Sequence, residues 1–172
     1  MGNLIMVLRI IHFFSGVFWV GYAMFNIVFL QPTIRATGED GQKTMQYLIR
    51  KTRLLPTVYM AATLTMVSGL ILYWIYSGFR LSFMNTGYGT VLTIGSIAGV
   101  IAWIIAVIVI RGIFSQMQII GQEIQAQGGP PSPELSSQMQ VLAARLGKMG
   151  QMAIGFLIIS LLGMAIAQYL PF

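Results

Sequence analysis

Four stretches of this sequence, at residues 4–30, 54–76, 90–111 and 149–170, are apolar for about 20 residues or more, the length an α-helix needs to cross a hydrocarbon core of about 30 Å. Hydrocarbon offers no partners to backbone N–H and C=O groups, so blocks of this kind persist in a bilayer only as self-satisfied helices. The expected fold is therefore all-α: an integral membrane four-helix bundle, forming a single transmembrane domain over residues 1–172. Composition agrees, since 56% of residues are hydrophobic and 8% are charged, too few to coat a soluble domain. The first block is too long for a signal-peptide core and has no small-residue cleavage site before Pro32, so it is expected to be retained.

The connections carry their own patterns. After Pro32, the turn formers Gly38-Glu39-Asp40-Gly41 predict a break before a short helix at residues 42–53. There Met45, Leu48 and Ile49 share one side while Lys43, Arg50, Lys51 and Arg53 supply charge, as suits a segment at the headgroups. Tyr73, Trp74 and Tyr76 predict an aromatic belt at the end of the second span. In the third, Gly95, Gly99, Ala102 and Ala106 place small residues on one face, where another helix can approach closely.

Beyond Arg111 the third helix turns polar without losing its period, until Gly128-Gly129-Pro130-Pro131 stops it. Ser132-Pro133-Glu134 then reads as an N-cap, a first-turn proline and an acidic first turn. Leu135, Met139, Leu142 and Leu146 match Phe114, Met117, Ile120 and Ile124 in spacing, which predicts a helical hairpin at residues 112–148 extending helices 3 and 4 beyond the bilayer.

Lysine and arginine are distributed unevenly. Arg35, Lys43, Arg50, Lys51, Arg53, Arg111, Arg145 and Lys148 fall on the hairpin side, and Arg9 and Arg80 on the other. By the positive-inside rule the hairpin is cytoplasmic and both termini lie outside a multi-pass inner-membrane protein. The net charge of +6 suits loops against anionic membrane lipids, and no basic domain exists to bind nucleic acid. The small-residue faces and the hairpin suggest other membrane subunits, or a second copy of the chain, as partners.

Within the first block lies the chain's one histidine, His12. An ionisable side chain at that depth, about 12 Å from the boundary near Leu4 at 1.5 Å per residue, is expensive unless it faces the bundle interior. On a helix His12, Ser15, Gly16, Trp19 and Ala23 share a face. Met66, Ser68 and Gly69, then Ser96 and Gly99, then Ser160, Gly163 and Met164 fall at the same level on the other three helices. Three roles for His12 stay open: a structural imidazole bonded to a neighbouring helix, an axial ligand of haem b with Met66 or Met164 as second ligand, or a metal ligand holding Cu(I) with methionines. Arg9, one turn earlier, either snorkels to the headgroups or meets an anion such as a haem propionate. Trp19 completes the candidate cofactor-binding group.

With no cysteine the chain has no disulfide, thiolate metal site, iron–sulfur cluster or covalently attached haem, so any redox chemistry needs a bound cofactor, with haem b the candidate. No pattern supplies a nucleophile with a base, paired carboxylates or a phosphate-cradling loop; no catalytic residue is assigned, and whether the chain is an enzyme stays open.

The residues His12-x6-Trp19-x-Gly21-x3-Phe25, continuing to Phe29-Leu30-Gln31-Pro32, resemble the first helix of the CopD-like membrane proteins, which include the membrane domain of copper resistance protein D, its uncharacterised relatives and, more distantly, the HemJ-type protoporphyrinogen oxidases. Arg53-Leu54-Leu55-Pro56, Ala62, Thr65 and Ser68-Gly69 resemble their second helix, and residues 162–169 the last helix of the uncharacterised branch. The resemblance implies a four-helix fold with the first-helix histidine as haem or metal contact. This chain departs from the haem-using members in having no histidine or lysine in its third helix, which makes the uncharacterised branch the closer match. The functional expectation is an accessory or structural subunit of a membrane redox complex; its alternatives are a haem b-binding redox protein using His12 and a copper transport protein.

Overall fold

The computed structural model describes residues 2–171, the side chain of Arg50 excepted. Arg50, counted above among the basic residues of its segment, thus lies outside the described side chains. The fold is all-α, with five helices and no strand among the described residues: α1 Gly2–Ala36, α2 Gly38–Lys51, α3 Leu54–Ser77, α4 Gly87–Ala126 and α5 Pro133–Ala167. All but α2 are long and apolar enough to cross a membrane. Together they form an up-down-up-down membrane bundle. Helix α1 packs along α3 and α4 along α5; α3 also meets α4, whereas α1 and α5 touch only sparsely. The termini and the 78–86 connection share one end, tied by Arg9 to the Tyr76 hydroxyl and by Tyr88 N–H to the Pro171 carbonyl at 3.0 Å. Helix α2 and the α4–α5 hairpin occupy the other end.

Helix α1 does not stop at Pro32. A π-helical segment, Asn26–Leu30, widens the coil there, and the Gln31 N–H bonds to the Asn26 carbonyl five residues back. Proline is disfavoured inside an α-helix because it lacks an N–H and its ring strikes the carbonyl one turn earlier. The wider turn places Pro32 at the start of a fresh α-helical segment, Gln31–Ala36, where neither penalty applies.

The break expected at residues 38–41 is also helical: α2 begins at Gly38, which has a positive φ of 56°, leaving Thr37 as the junction. Glu39 and Asp40 lie in its first turn, where carboxylates complement the helix dipole, and Lys43 pairs with them at 3.1 and 3.8 Å. At the start of α4, the Thr86 hydroxyl accepts the Gly89 N–H at 3.0 Å, so the helix begins three residues before the apolar block. Ser132 caps α5 in the same way at 3.3 Å, with Pro133 in the first turn.

Helices α4 and α5 cross at glycines: a β-carbon on Gly163 would lie 2.8 Å from the Gly95 Cα and 3.1 Å from the Val91 carbonyl. Only hydrogen fits there. Nearer the hairpin end, Trp19, Val58, Ala61, Ala62, Ala102 and Leu157 form the main core. A second cluster, around Ile113, Ile120 and Leu142, joins the two arms of the hairpin, with Met117, Ile124, Leu135, Met139 and Leu146 around it. The position expected for Phe114 is taken by Ile113, which is 3% exposed.

Candidate functional site: an intramembrane cleft at His12

Between the α1–α3 and α4–α5 pairs, on the terminal side of Trp19, lies a cleft of about 860 Å³, within the range of small-molecule and cofactor sites. His12, Trp19, Met66 and Met164 all line it, from α1, α3 and α5. Arg9 does not. Its guanidinium bonds to the Tyr76 hydroxyl and stands over that ring, 5.4 Å from the centroid, while Tyr76 itself lines the cleft. Arg9 thus sits at the mouth.

His12 is fixed by a main-chain group. Its Nδ1 lies 2.9 Å from the Thr65 carbonyl oxygen, which can only accept; Nδ1 therefore carries the proton, and the lone pair of the neutral ring is on Nε2. The Ser68 hydroxyl is 3.4 Å from Nδ1 and donates to the Leu64 carbonyl at 2.6 Å. No described residue bonds to Nε2. The ring lies against Gly69, where a β-carbon would fall 2.7 Å from Cε1 and 3.0 Å from Nδ1. One turn along, the Thr65 hydroxyl donates to Ser15 at 2.9 Å, a second polar link between α1 and α3.

Trp19, 5% exposed, is the floor, with one side toward the cleft and the other in the core. The opposite wall brings in Ser96 and Ser160. Ser96 donates back along its helix to the Leu92 carbonyl at 2.8 Å, as Ser68 does along its own. Ser160 is 6% exposed and lines the cleft, yet its hydroxyl has no hydrogen-bond partner among the described residues. Its oxygen faces Gly99, where a β-carbon would stand 3.0 Å away.

Two of the three residues expected in an aromatic belt, Tyr73 and Tyr76, turn inward to the cleft; Trp74 alone keeps an outward position, 57% exposed. The lining contains no carboxylate, and among the described residues no three of histidine, cysteine, aspartate and glutamate gather. A shallower groove of about 480 Å³ between the hairpin arms, lined by Gln116, Glu123, Ser137 and Gln138, holds no comparable chemistry.

Of the residues that depth counting along the sequence places level with His12, Met66, Gly69, Ser96, Gly99, Ser160 and Met164 line its cleft, whereas Ser68 and Gly163 do not; Gly163 is taken up by the contact with Gly95. The Thr65 carbonyl is not legible in that way. The available signal is Gly69, four residues later, because only a missing side chain exposes that carbonyl to an incoming ring. No family model, no curated protein and no solved structure matches this chain.

Proposed function

We propose that this chain is a cofactor-holding subunit of a membrane redox assembly, and that the cofactor is haem b bound through His12 Nε2. The observation carrying this reading is the hydrogen bond from Nδ1 to the Thr65 carbonyl, 2.9 Å long, in a histidine that lines an apolar cleft. Metal-ligating histidines characteristically donate their other ring N–H to a carbonyl or carboxylate, which fixes the tautomer and the ring plane. The CopD-like resemblance supports the same residue.

The residues present fit the group. The cleft is large and apolar enough for a macrocycle, Met66 and Met164 offer thioethers as a second ligand, and Arg9 with Tyr76 places a cation at the mouth for a propionate. Bound haem supplies one-electron exchange at low dielectric. The chain's own contribution is to hold Nε2 in place from the Thr65 carbonyl, close the floor with Trp19 and exclude water with the surrounding hydrocarbon side chains. The lining has no carboxylate to move protons, which favours an electron-handling subunit over a self-contained enzyme. The lysine and arginine distribution supports a cytoplasmic position for the hairpin end.

The second reading is an accessory subunit in which His12 is structural. It is favoured by the same bond, since Nδ1 is satisfied on α3 and ties two spans together. The visible spectrum of the full chain, purified from cells supplied with haem precursor, separates the two. A Soret band that His12→Ala removes, and that Met66→Leu or Met164→Leu shifts, supports haem. A colourless protein that takes up no added haemin leaves the structural role.

A further inference from the structure

The edges of the cleft are closed unequally. Between α3 and α4, Thr93 donates its hydroxyl proton to the Gly89 carbonyl at 2.6 Å, so Tyr73 donates to Thr93 at 2.7 Å. The Phe83 ring stands edge-on to Tyr73 and Tyr88, with centroids 5.9 and 5.7 Å away, and seals that side. Between α1 and α5 no side-chain hydrogen bond is formed among the described residues, and the two helices meet only sparsely. The cleft-lining residues there are open to the surroundings: Phe13 is 64% exposed, Val17 57% and Leu161 45%. A β-carbon built on Gly21, which also lines this edge, meets nothing within 4 Å.

In a bilayer the medium at this edge is hydrocarbon, and a gap that opens to it is filled. Charge identifies the lipid. Arg9 stands at the mouth, and among the described residues no aspartate or glutamate side chain lies at this end of the bundle, since Glu39, Asp40, Glu123 and Glu134 belong to α2 and the hairpin. Its guanidinium is held by Tyr76 through a ring and a hydroxyl, neither of which neutralises it.

We infer that the α1–α5 edge is a lateral portal, occupied in the cofactor-free protein by an anionic phospholipid of the terminal-side leaflet, with its phosphate at Arg9 and one acyl chain running past Phe13 and Val17 toward Trp19. The cleft's ligand arrives by the same route, from within the membrane. This inference concerns the empty cleft and does not rest on haem being the ligand.

The test uses the full chain without haem, with Trp19 as the single tryptophan (Trp74→Phe, Trp103→Phe), in vesicles of equal parts phosphatidylglycerol and phosphatidylcholine in which one or the other lipid is acyl-brominated. Bromine quenches indole only at short range, so Trp19 reports chain entry. Quenching should be strong. It should fall when Ala165→Phe or Gly21→Phe fills the edge, and Gly21→Ala with Ala165→Leu provides a milder plug should the larger ones fail to fold. A Trp103-only protein should show no change on plugging. One interfacial cation favours the anionic lipid by about fivefold, a preference that Arg9→Gln should abolish. Trp19 quenching that is absent, or indifferent to the plugs, overturns the portal; equal quenching by both lipids overturns the role of Arg9. Haem binding is a separate measurement, so either proposal can fail alone.

Discussion

The imidazole of His12 occupies the space of the side chain that Gly69 lacks: a β-carbon at position 69 would lie 2.7 Å from Cε1, well inside contact distance. The ring's position, its tautomer and the free Nε2 all follow from that vacancy, because it is what brings Nδ1 to the Thr65 carbonyl. Gly69→Ala is expected to cost about 1–3 kcal/mol through overpacking. Unfolding in mixed detergent micelles measures the cost, and most of it should vanish in a His12→Ala background, where the added methyl meets no ring. An additive double mutant would contradict the contact.

Because the acceptor is main-chain, the side chain of Thr65 is dispensable for holding the ring. Thr65→Val removes its bond to Ser15, worth about 0.6 kcal/mol for an average interhelical hydrogen bond in a membrane, or about threefold. Haemin affinity should therefore fall by no more than that in a titration, and far less than for Gly69→Ala. Equal losses would place the acceptor on the hydroxyl instead.

At the α4–α5 crossing the neighbours of Gly163 are backbone atoms that cannot yield, whereas a β-carbon on Gly155 meets nothing within 4 Å. Gly163→Ala is expected to destabilise the bundle by about 1–3 kcal/mol and Gly155→Ala to be neutral or slightly favourable. Thermal denaturation of the two variants in one detergent checks the contrast.

Ile113 and Leu142 join the arms of the hairpin, at 3% and 9% exposure. Truncating either to alanine should cost about 2–5 kcal/mol where the cavity cannot collapse. The effect should be local: amide exchange should quicken across residues 112–148 while the spans stay protected.

Much of this was legible in the residues. Four apolar blocks, the cap at Ser132 and the glycine period in α4 each act through local physics that a sequence displays. The helix continuing past Pro32 was not, because a π-turn at Asn26–Leu30 relieves the clash that normally ends a helix there. The helical start at Gly38 was hidden by residues that equally favour a turn. At the site, depth counting found which residues share a level with His12, but not the closed edge at Tyr73 and Thr93 or the solitary hydroxyl of Ser160. Those depend on how the helices rotate about their axes, which a four-helix pattern leaves free.

The central claim, that His12 presents Nε2 to a cofactor, is tested most directly by haemin titration of the full chain and of His12→Ala, each with and without free imidazole, followed by the Soret band. The account predicts saturable binding with a ligand-shifted Soret in the native chain, its loss in His12→Ala, and restoration when imidazole enters the space the ring has left. A Soret band that is the same in both proteins, unaffected by imidazole, would contradict it.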